Sequence, residues 1–118
     1  MATNDFNTVA AVLADDFVLE WPQTCERIRG AENFIAMNRD YPAHGAWRFN
    51  INRLVGDGQQ VVSDVTITDG VQQARALSFF TVQEHRIVRL VEFWPTPHAA
   101  PAHRTNAVEP CITDFFAM

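Results

Sequence analysis

The chain has 118 residues, 47% of them hydrophobic and 19% charged, with fourteen acids against nine bases and a formal net charge of −5. That is enough apolar content for one domain with its own core, and the acidic balance argues against a nucleic-acid binder, which presents a basic stripe. All nine bases are arginine, so a lysine Schiff base, lysine-anchored pyridoxal phosphate and a phosphate-loop lysine are excluded together.

Residues 5–14 place Phe6, Val9, Ala10 and Leu13 at helical spacing, and Asn4 or Asp5 can cap the short helix that this predicts. Asp16 to Trp21 alternates and ends at Pro22, which reads as a strand, and Glu26 to Gly30 reads as a second, shorter one. A helix is predicted over Ala31 to Tyr41, with Phe34, Ile35 and Met37 or Asn38 on its apolar face and Pro42 as its stop. Four extended runs follow, at 47–55, 61–68, 73–82 and 86–94. They are joined by Gly56-Asp57-Gly58, Asp69-Gly70 and Glu84-His85, all of hairpin size. Helices first and hairpin-linked strands after predict an α+β fold, a curved antiparallel sheet wrapped around N-terminal helices. From Pro95 the chain is rich in proline and alanine without periodicity. Residues 1–96 are therefore read as the domain and 97–118 as a tail packing on it.

No stretch approaches the roughly 20 apolar residues that cross a bilayer, and the first residues lack both parts of a secretion signal. No membrane or nucleic-acid partner is expected, and a cytoplasmic location is. Cys25 and Cys111 show no metal-ligand spacing; they are expected as reduced thiols, with a disulfide as the alternative.

Side chains alternate along a strand, so parity assigns them to faces. Ala74, Ala76, Ser78, Phe80 and Val82 share one face of the third long strand. Val88, Leu90, Glu92 and Trp94 share one face of the last, opposite Ile87, Arg89, Val91 and Phe93. Neither face is cleanly polar, so the sheet needs two covers. The helices supply one. For the other, a second copy of the chain is expected to pack on Leu77, Phe79, Val91 and Phe93, the C-terminal tail being the alternative cover.

Taken in order, Ala14-Asp15-Asp16-Phe17-Val18, Glu26-Arg27-Ile28-Arg29-Gly30 with its following helix, and Arg86-Ile87-Val88 through Glu92-Phe93-Trp94 resemble the nuclear transport factor 2-like superfamily. Within it, the SnoaL-like group of polyketide-cyclase relatives is the most similar. The resemblance covers about residues 6–96 and implies a cone with a deep apolar pocket. It does not imply a reaction, because this fold carries isomerases, cyclases, hydrolases, dehydratases and binding domains. The carboxylate base that ketosteroid isomerases of the superfamily keep before a strand-end proline is replaced by Trp21, and their aspartate donor aligns with Ser78. Their tyrosine donor lies on a first helix that is read as short here. The aspartate that SnoaL-type cyclases keep after the last-strand tryptophan aligns with Pro95. Both activities are therefore disfavoured.

The expected pocket face holds Trp21, Ser78, Phe80, Leu90, Glu92 and Trp94, with Val61, Ser63 and Val65 as neighbours. Glu92 is the one carboxylate that parity sets among apolar residues, where burial favours its neutral form. Two readings stay open for it: a functional one, as a general acid/base with His44 at the pocket mouth as a second proton carrier or as a hydrogen-bond partner for a substrate hydroxyl or carbonyl, and a structural ion pair with Arg27, Arg29 or Arg48. Asp15 and Asp16 are read as turn residues before the first strand, Glu20 as solvated or paired with an arginine of residues 26–30, and Asp64 as exposed on the outer face. His98 and His103 lack a third ligand, and Ser78 lacks a His-Asp arrangement, so neither a metal, a cofactor nor a nucleophilic triad is expected. The expected function is a pocket for a small hydrophobic ligand, as a binding or vestigial-enzyme module. The alternative is a cofactor-independent isomerase, cyclase or dehydratase acting through Glu92.

Overall fold

The computed structural model describes residues 10–40, 45–104, 106–111 and 115. A 3-10 turn over Ala10–Val12 leads into β1 (Leu13–Trp21), followed by β2 (Glu26–Arg29), α1 (Ala31–Asp40), β3 (Arg48–Gly56), β4 (Gln60–Thr68), β5 (Gln73–Gln83) and β6 (Arg86–Phe93). A second 3-10 turn lies at Ala102–Arg104. The six strands form one sheet in the order β2-β1-β6-β5-β4-β3, an open α+β sheet with α1 packed against β1 and β2. No helix of the described residues is long and apolar enough to cross a membrane.

The hairpins form where short turns offer left-handed positions and local acceptors. Asp57 accepts the amides of Gln59 (3.1 Å) and Gln60 (2.9 Å) between β3 and β4, while Gly58 takes a φ of +98°. Asp69, nearly buried, accepts those of Val71 (2.9 Å) and Gln72 (2.7 Å) between β4 and β5. The Glu84-His85 turn is unusual, because two side-chain-bearing residues hold φ values of 51° and 65°. Gly30, at φ +84°, ends β2; its amide donates to the Phe17 carbonyl (2.7 Å), which sets α1 across β1.

The core sits under α1. Phe17 and Leu19 are almost wholly buried, joined by Leu13, Phe34 and Leu90, and Phe17 meets Phe34 edge to face with ring centres 5.5 Å apart.

Four local features differ from the sequence reading. Leu13 and Ala14, read as the end of a helix, open β1, and residues 5–9 of that helix lie outside the described residues. Asp15 and Asp16 are consequently exposed strand residues at a register shift between Leu13 and Val18 rather than turn residues. β1 runs parallel to β6, while every other pairing is antiparallel. A second shift, where Thr81 faces Arg89 but Val82 faces Ile87, turns Ile87 to the core side against strict alternation. The described residues of the C-terminal tail are mostly exposed, but Phe115 reaches the outer face. Its carbonyl accepts from Arg75 Nη1 (3.1 Å) and its ring lies 5.1 Å beneath the same guanidinium.

Candidate functional site

The concave side of the sheet and α1 enclose a cavity of about 650 Å3. Register explains which strand residues reach it. Ser63, Ser78 and Glu92 fall in one row across β4, β5 and β6, because Ser63 faces Ser78 and Ser78 faces Glu92. Leu19 faces Leu90 across the parallel pair, so Trp21 and Glu92 follow together, two residues further along. Helix α1 contributes Phe34, Met37 and Asn38 to the wall, and β3 contributes Phe49.

Glu92 is the polar centre of this wall. The indole N–H of Trp21 donates to Glu92 Oε1 (3.0 Å), and that of Trp94 donates to the same oxygen (3.0 Å). The Ser78 hydroxyl makes a longer bond to Oε2 (3.3 Å). Desolvation pushes the Glu92 carboxyl up from the ordinary carboxylate value, opposed by the hydrogen bonds from Trp21, Trp94 and Ser78. Among the described residues no arginine lies within salt-bridge range of Glu92. Arg27, one of the partners considered for it, instead bonds Glu20 on the outer side (2.7 Å), and Arg89 bonds the other oxygen of Glu20. Those two hydrogen bonds hold the Glu20 carboxyl below its usual value.

The turn between β1 and β2 closes one end of the cavity. Gln23 and Thr24 line it, and Gln23 Oε1 accepts the Trp94 amide (2.5 Å), tying the chain beyond β6 to this turn. Trp94 remains 37% exposed, so it borders the cavity rather than filling it.

Of the residues singled out from the sequence, Trp21, Ser63, Ser78, Phe80, Leu90, Glu92 and Trp94 line the cavity, as does Val65. Val61 shares their parity opposite Phe80 but is not in the wall. His44 lies outside the described residues. Asp64 is not freely exposed; it is half-buried on the outer face, held by Arg75 (2.5 Å) and by Asn52 (3.4 Å), and the Arg75 bond draws its carboxyl below the usual value. Sequence reasoning missed Gln23, Trp47 and the α1 residues Met37 and Asn38. The helical spacing identified the face that α1 buries, but not that the cavity continues beneath it. No group of histidine, cysteine or acid side chains among the described residues forms a metal site, and both cysteines are free and exposed.

The profile of the SnoaL-like domain matches residues 1–90. The chain belongs to the SnoaL-like family. Solved structures place this SnoaL-like chain in the wider nuclear transport factor 2-like fold. A protein of Kribbella flavida DSM 17836, provisionally called a ketosteroid isomerase, is 32% identical with a TM-score of 0.81, over 92% of this chain and 79% of that one. An epoxide hydrolase of M. tuberculosis, described as LEH-like, is 27% identical with a TM-score of 0.61, over 77% and 71%. A provisionally named SnoaL-like polyketide cyclase of Jannaschia sp. CCS1 is 13% identical with a TM-score of 0.64, over 77% and 72%, and shares the fold alone. Among curated proteins none matches.

Proposed function

We propose that this SnoaL-like chain binds a small hydrophobic molecule in its cone, with the Glu92 carboxyl as the polar group that orients it. The observation that carries this reading is the wall itself: an open cavity of about 650 Å3, walled largely by apolar and aromatic side chains, in which the Glu92 carboxyl is held by three neutral donors. Size and composition match small-molecule sites, in which a few placed polar groups sit in an apolar surface. The activities named for its structural neighbours differ from one another, so the fold favours none of them.

A second reading makes Glu92 a general acid/base for a cofactor-independent isomerisation, cyclisation or dehydration. What favours it is that no arginine whose side chain is described pairs with Glu92, together with a proton affinity raised above that of an ordinary carboxyl by desolvation, the direction that suits a general acid. His44 remains the proposed second proton carrier. A second copy of the chain packing on Leu77, Phe79, Val91 and Phe93 is proposed as the cover of the convex face, and a cytoplasmic setting with it.

The binding reading is tested by a thermal-shift screen of steroids, polyketide-like aromatics and terpenoids against the chain and against Ala76→Phe. Ala76 is buried on β5 and faces the cavity, so the added ring fills ligand space. Hits that raise the melting temperature of the parent are expected to lose that effect in the variant. Hits that act equally on both sit elsewhere, and the cavity reading then fails.

A further inference from the structure

Among the side chains described, the charge about the cavity is one-sided. None of the arginines whose side chains are described lines it: Arg27 and Arg89 bond Glu20, Arg75 bonds Asp64, and Arg86 lies 3.8 Å from Asp15, all away from the wall. The ionisable side chains among the described lining residues are two carboxyls, Glu92 and Glu26. Both stand at the same end, because Trp21 faces Glu26 across the β1–β2 pair while its indole bonds Glu92. A cleft lined by one sign of charge between low-dielectric walls concentrates ligands of the opposite sign. Here that sign is positive, and the wall is rich in π surface, with Trp21, Trp47 and Trp94 among its residues.

Glu92 also has room for one more donor. An ionised carboxylate offers about four acceptor positions. The two indoles take both on Oε1, whereas Oε2 meets only the long Ser78 contact at 3.3 Å. Its hydrogen-bond donors are all neutral, and no arginine whose side chain is described pairs with it.

Building on the hydrophobic-ligand reading above, we infer that the occupant is a lipophilic amine bound as its ammonium ion, with an N–H donated to Glu92 Oε2 and the hydrocarbon frame against the aromatic wall. The acidic lining repels a carboxylate ligand, and a neutral ketone or alcohol brings no positive charge to an ionised Glu92. Where Glu92 starts protonated, an incoming ammonium displaces that proton to solvent, so the products are the ion pair and one released proton. An amine arriving in its neutral form takes the proton from Glu92 directly, and the same ion pair results.

Indane, 1-indanone and 1-aminoindane share one bicyclic frame and differ in the group offered to Glu92. Isothermal titration of the full chain at neutral pH, in two buffers of different ionisation heat, gives their affinities and the protons released. 1-Aminoindane is expected to bind at least tenfold tighter than indane, to release a fraction of one proton that grows as the pH is lowered, and to lose its advantage in Glu92→Gln. Preference for 1-indanone, retained in Glu92→Gln, overturns the inference while leaving a hydrophobic site, because a glutamine amide can still donate to a ketone. Amine binding without proton release at any pH below neutrality also overturns it, and that measurement needs no variant. If none of the three compounds binds, the hydrophobic-ligand reading has failed as well.

Discussion

Burial raises the proton affinity of Glu92 in the folded chain relative to the unfolded one, so the folded chain binds more protons once the pH exceeds the ordinary value of 4.5. The sign follows directly. Stability from the protonated carboxyl is fully present below that value and is lost as the pH climbs through the folded one. Glu92→Gln keeps an acceptor for the two indoles and a donor toward Ser78 without a charge to bury. Its melting temperature is therefore expected to gain on that of the parent as the pH is raised from 4.5, measured as the difference between the two proteins at each pH. Asp64, Glu20 and Asp57, all drawn down by hydrogen bonds, act with the opposite sign in acid, but they cancel in that difference. A difference independent of pH would show that Glu92 is not shifted. At this scale much was legible. Alternation alone put Glu92, Ser78 and Leu90 on one wall, because each lies in an undistorted stretch of β5 or β6. Whether Glu92 met an arginine was not legible, since Arg27 was a candidate partner for both Glu20 and Glu92, and only the register of β1 with β2 set it beside Glu20.

The elements carry a local strain that sequence rules identify only in part. Glu84-His85 was read as a hairpin turn from its length, yet both residues sit at positive φ, where glycine and asparagine are favoured. Replacing Glu84 by Asn and His85 by Gly is expected to stabilise the chain by about 1 kcal/mol, read as a higher urea midpoint with an unchanged slope. An unchanged or lower midpoint would mean that the two side chains make compensating contacts. Element boundaries were least legible where two patterns overlap. Phe6, Val9, Ala10 and Leu13 have helical spacing, but Leu13 also starts a strand whose pairing with Ile87 is parallel and distant in sequence. The register shift beside Ile87 was illegible for the same reason, since no residue of β6 announces a bulge and strict alternation assigned Ile87 to the wrong face.

For the whole molecule the open question is what covers the convex face. Val55, Val62, Phe79 and Val91 stand directly opposite one another across β3, β4, β5 and β6, and Val55, Val62 and Phe79 are 60%, 39% and 43% exposed. A contiguous apolar row of that kind is the self-complementary surface that a two-fold dimer uses. Phe115 meets this face at Arg75, so the tail covers that part of it. Light scattering at micromolar concentration is expected to give a dimer for the parent and a monomer for Phe79→Asp, with the far-ultraviolet spectrum unchanged. A monomeric parent would assign the cover to the tail instead.

Turn residues, alternation and order of elements are local properties, and they determined the α+β class, the four long strands, the helix after Gly30 and most of the cavity face without any coordinates. The tertiary structure decided what depends on residues far apart in the chain. It closed β1 against β6 in parallel, brought Trp21 and Trp94 onto a single oxygen of Glu92, and paired Arg27, Arg75, Arg86 and Arg89 with acids away from the cavity. The fourteen acids and nine bases of the composition therefore describe the molecule less well than their separation does. Net charge is a sum over the whole chain, whereas the field inside a cavity is set by the side chains that the fold turns toward it.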